Sequence, residues 1–106
     1  MHAIAADTKI INDVTVRTYK RNVKRAKTDL IVEAGTTGFR GYVPREKNAR
    51  AFLALDCRKG DFHFEPVLDE EGKLCGVVIA CCGDVALMSL MESLDFAMEA
   101  LTDGCE

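Results

Sequence analysis

The 106-residue sequence predicts an α+β domain: an antiparallel sheet of about five strands, in the order β-β-β-β-β-α, with one C-terminal amphipathic helix packed on one face. Three observations predict it. Runs with period-2 alternation and β-branched residues recur through the first four fifths of the chain. Short turn-forming clusters join them, and sequential strands with short connections pair antiparallel. The last run instead places its apolar residues at helical spacing.

The first alternating run spans residues 10–21, with Val14, Val16 and Thr18 facing one way and Thr15, Arg17 and Tyr19 the other. Asn12-Asp13 is read as a bend or bulge at its start, and 22–27 as a polar connection. Residues 28–34 form the second strand, with Leu30, Val32 and Ala34 on one face. Three glycines in 35–41 end it as a loop, which Pro44 and the polar stretch 45–48 extend. Residues 50–58 are the third strand, and Lys59-Gly60-Asp61 a turn. Residues 62–68 put Phe62, Phe64 and Leu68 on one face and His63, Glu65 and Val67 on the other. Pro66 donates to no ladder, which predicts an edge or a bulge there. Asp69-Glu70-Glu71-Gly72 is a hairpin loop. Residues 73–82 are the last strand; because 77–82 is apolar on both faces, a central position covered on both sides is expected.

Gly83 breaks that strand and Asp84 is a natural N-cap. Leu87, Leu90, Met91, Leu94, Met98 and Leu101 form one stripe, expected to face the sheet, and Gly104 is a C′ glycine. Phe96 lies nearly opposite that stripe, among Ser89, Glu92 and Glu99, and so is expected at the surface.

The length suits one domain, 1–106, with a single core. The opening residues lack a basic segment followed by a long apolar one, and no run reaches the length of a membrane span, so no secretory leader and no membrane association are expected. Five cysteines, with Cys81 and Cys82 adjacent, do not form a disulfide framework; free thiols in a reducing cytoplasm are the simpler account. With no tryptophan and seven Tyr and Phe, an aromatic stacking platform is poorly supplied. The net charge of −3 conceals a split: residues 1–53 carry 11 Lys/Arg and 5 Asp/Glu, whereas 54–106 carry 3 and 12.

Arg17, Lys20, Arg21, Lys24, Arg25 and Lys27 fall within eleven residues that contain no acid. Gathered at one end of the sheet, with Arg40 joining, they would attract phosphates or an acidic protein face. The plainer alternatives are a solvated turn that blunts a sheet edge, or neutralisation of the acidic helix bearing Glu92, Asp95, Glu99, Asp103 and Glu106. On that helix, Phe96, Glu92 and Glu99 are the candidate partner interface.

Other chemistries are weaker. The 35–41 loop lacks the Gly-Lys-Ser/Thr ending of a P-loop. Cys81 and Cys82 precede a helix N-terminus, which favours a thiolate, but Asp84 opposes it. Cys57, His63, Cys75, Cys81 and Cys82 lack zinc-site spacing, so no metal and no cofactor are expected. Asp69-Glu70-Glu71 are solvated tip charges, not an acid/base pair.

The stretch IINDVTVRTYKRNVKRAKTDLIVEAGTTGFRG, residues 10–41, resembles small proteins of unknown function carried by bacterial genomes and their mobile elements. The resemblance covers about a third of the chain and implies no activity. Taken together, the sequence leads to a non-enzymatic binding module whose basic hairpin contacts nucleic acid or an acidic protein. The alternative is a regulatory protein docking through its sheet and acidic helix; a cysteine enzyme ranks third. A homodimer is expected, and no small-molecule substrate.

Overall fold

The computed structural model describes residues 4–37 and 49–102. It is α+β, with six strands in two antiparallel sheets and one helix. Strands β1 (Ile4–Ile11), β2 (Val14–Arg25), β3 (Thr28–Thr36) and β4 (Ala51–Lys59) form a four-stranded meander in that spatial order. Strands β5 (Phe62–Leu68) and β6 (Leu74–Cys81) form a separate two-stranded arm, and helix α1 (Asp84–Thr102) packs on β2 and β3.

Two turns differ from expectation. Asn12 and Asp13 are not a bulge inside a strand. Both hold positive φ, 47° and 68°, and join β1 to β2 with Ile11 opposite Val14. Asn and Asp tolerate the left-handed conformation that a two-residue hairpin with the native twist requires. The expected connection 22–27 is mostly strand: Asn22 to Arg25 pair with Ile31 to Thr28, leaving only Ala26-Lys27 to turn. Gly35, expected to open a loop, is an interior residue of β3 between Thr18 and Phe52. A Cβ there would run into the carbonyl oxygen of Arg17, so the close approach of β2 needs glycine. Gly38, Phe39, Arg40, Gly41, Pro44 and Gly104 lie outside the described residues.

The core lies between the sheet and the helix. Val23, Val32, Ala34, Phe96, Ala97 and Ala100 are buried together, with Tyr19, Leu55 and Leu101 packed around them. The helix therefore turns a different face inward from the one its stripe predicts. Its buried residues are Ala86, Ser89, Ser93, Phe96, Ala97 and Ala100, about a third of a turn away from the stripe at 100° per residue. Small side chains let the helix axis come close to the strands, and Phe96 fills the space that remains. Ser93 satisfies its hydroxyl by donating to the Ser89 carbonyl at 2.8 Å. Phe96 is 4% exposed, so it is a core residue and not a surface anchor. Leu87, Met91, Leu94 and Met98 are exposed instead, and only Leu90 and Leu101 are partly covered.

The arm is the second departure. Only Gly60 and Asp61 separate β4 from β5, yet these strands do not pair. Gly60, at φ +134°, turns the chain out of the sheet, and the arm projects. The last strand is not central: every residue of β6 except Cys81 is exposed, so its apolar faces are bare in the single chain. Phe62 and Phe64 do share a face, stacking with centroids 6.2 Å apart, and Phe64 lies opposite Ile79. Pro66 sits in a two-stranded ribbon, and a register shift follows at Val67/Leu68. Asp69 closes the tip, where its Oδ1 accepts the N–H groups of Glu71 and Lys73, both at 2.9 Å. The radius of gyration is 15.1 Å, against about 13 Å for a compact chain of this length.

The burial of Phe96 predicts that Phe96→Ala lowers stability by about 3–5 kcal/mol. Urea denaturation followed by circular dichroism measures it. A loss below about 1 kcal/mol would mean that Phe96 does not seat the helix.

Candidate binding surfaces

Strand β2 carries the predicted basic cluster, and its pleat divides the cluster in two. Residues 19, 21 and 23 of β2 share the helix side with Leu30, Val32 and Ala34 of β3, as the register and the core packing require. Arg17, Arg21 and Arg25 follow that parity. Lys20 and Lys24 point to the opposite face, and Lys27 lies in the turn. The six side chains thus do not gather as one patch, because a strand sends successive residues to opposite faces.

Most of them are also engaged within the chain. Arg21 Nη2 and Arg25 Nη2 both reach Glu92 of the helix, at 3.0 and 2.6 Å. Lys20 lies 3.9 Å from Glu33, which also receives Lys9 at 3.2 Å and the Thr18 hydroxyl at 2.6 Å. Glu33 is buried, so these three donors are what compensate its charge. Arg17 lies over the Tyr19 ring, 5.9 Å from its centroid. Among the described residues, Lys24 and Lys27 have no carboxylate within ion-pair distance. Arg40 lies outside the described residues. On the helix, Glu92 is spent on the two arginines, Glu99 is exposed, and Phe96 is buried.

The pairing at Glu92 is unequal. Two guanidiniums share one carboxylate, and the buried Nε–H groups of Arg21 and Arg25 have no acceptor. The same flank carries exposed Asp95, next to exposed Met88 and Met91.

The remaining groups show little convergence. Cys57, Cys75, Cys81 and Cys82 are free thiols. Burial, more than any neighbour, pushes the Cys57 thiol above its usual pKa. Among the described residues, no three His, Cys, Asp or Glu side chains assemble into a possible metal site, so the Cys57, His63, Cys75, Cys81 and Cys82 set is dispersed. His63 faces only Asp61, at 3.4 Å on the surface. Asp7 is held below the usual carboxylate range, first by the Thr8 N–H and then by Lys9, whose own pKa is raised by Asp7 and Glu33.

The larger feature is apolar, and it consists of residues whose sequence pattern predicts the interior. Leu53 and Leu55 of β4 border a cleft with Phe64, Val77 and Ile79 of the arm. The helix stripe belongs to the same side. At 100° per residue, Leu87, Leu94 and Met98 lie on the flank away from Glu92; Glu92 faces β2, so they lean towards β4 and the arm. Its signal in the sequence was the apolar character of 77–82 on both faces, together with a stripe more apolar than the helix needs to seat itself.

Compared with protein-family models, curated proteins and solved structures, the chain matches none. Among the described residues, no helix is long and apolar enough to cross a membrane.

Because Glu92 is the sole partner of two part-buried guanidiniums among the described residues, Glu92→Gln is expected to destabilise the fold by about 1–2 kcal/mol, between the values for exposed and buried pairs. Denaturation midpoints with and without the substitution check this. Equal midpoints would remove the pairing from the account of how the helix is held.

Proposed function

We propose that this chain is a protein-binding module whose contact surface is the apolar arm and the exposed helix stripe, in preference to the basic hairpin. The observation that carries the reading is the arm. An isolated two-stranded ribbon is marginal in water, and this one exposes Phe64, Val67, Leu68, Leu74, Val77, Val78 and Ile79. A chain that spends seven large apolar side chains on an uncovered projection has a protein surface to place there. The helix adds Leu87, Met88, Met91, Leu94 and Met98. Leucine and methionine on a helix suit a partner groove, and methionine adapts to irregular contacts.

The basic hairpin supports a phosphate ligand less well. Its arginines and Lys20 are committed to Glu92, Tyr19 and Glu33, and of the remaining lysines Lys24 lies on the face opposite the arginines and Lys27 in the turn. Duplex binding through all six cations would fall steeply with salt, with a log–log slope near 0.9 per phosphate contact.

A photoreactive residue placed at Val77 in the expressing cell tests the reading. Discrete protein adducts at Val77, absent when the same residue replaces exposed Asp13, are expected. No adduct, or the same adducts at both positions, overturns it. So does salt-dependent binding of the purified chain to duplex DNA that Val77→Asp leaves unchanged.

A further inference from the structure

We infer that the partner on this surface is a second copy of the chain, arranged about a two-fold axis so that each arm lies along the other copy's helix. The inference deepens the protein-binding reading and rests on it.

Two observations support a second copy. The first is area. The seven apolar side chains of the arm and the five of the helix named above are exposed, a bare face on the scale of the roughly 800 Å² that a standard interface takes from each partner.

The second is self-complementarity. One chain carries both halves of the contact. The cleft edged by Leu53, Leu55, Phe64, Val77 and Ile79 accepts an apolar ridge. The line Leu87, Met91, Leu94 and Met98 is such a ridge. Their lengths are compatible: the helix rises about 16 Å from Leu87 to Met98, within the span of about 23 Å that a strand the length of β5 covers. A two-fold operation seats both ridges at once and leaves no open end, which a head-to-tail contact would not.

Light scattering coupled to size-exclusion chromatography, run on the full chain across the micromolar range, tests this together with Val77→Asp on the arm and Leu94→Glu on the helix. Both positions are exposed in the single chain, so circular dichroism of each variant should retain the helix and sheet signal. The expected result is a mass of twice 11.7 kDa for the native chain and a shift to the single mass for either variant. A native chain that stays at the single mass overturns the second copy; adducts of other masses at Val77 would then still uphold the protein-binding reading. A native dimer that neither substitution weakens overturns this arrangement as well.

Discussion

The architecture depends on how closely α1 approaches β2 and β3. Ala86, Ser89, Ser93, Ala97 and Ala100 bring little bulk between helix and sheet, and Phe96 occupies the one larger space. Close packing rewards that fit along the whole helix. It also settles the rotation of the helix about its axis. Once the small residues are inside, Glu92 comes to the β2 side within reach of two arginines, and the leucine and methionine stripe has nowhere to go but outwards. The exposed stripe is thus a consequence of how the helix is seated, not a separate design.

Much of the fold was legible. Alternation marked β3 and β5, an apolar run marked β6, Asp69 to Gly72 read as a hairpin loop, and Gly83-Asp84 marked the start of the helix. The rotation of the helix was not, because hydrophobic periodicity ranks residues by apolarity and not by size. Leucine outranks serine on any such scale, yet here serine is inside. The β1–β2 turn was hidden for a different reason: Asn12-Asp13 fits a bulge or a two-residue turn equally well until a partner strand at 4–11 is recognised. The detachment of β5 from β4 left no local mark, since a two-residue connection ordinarily closes a hairpin. At the candidate surface, the helix stripe and the apolar run 77–82 were legible, but both were expected to be covered.

The charge asymmetry along the chain finds a partial explanation inside the molecule. Basic β2 meets the acidic helix at Glu92 on one face and the buried Glu33 on the other. A cluster contiguous in sequence becomes two groups of opposite orientation once it enters a strand. Linear density of lysine and arginine therefore overstated the field at any one point on the surface.

The arm joins the body through two corners, each with a glycine at positive φ, Gly60 at 134° and Gly83 at 97°. The base between them is closed by a backbone hydrogen bond of 3.2 Å from Cys82 to Asp61. A junction this slight leaves few contacts to break between ribbon and body, so local opening of the ribbon costs less than melting the helix from the sheet.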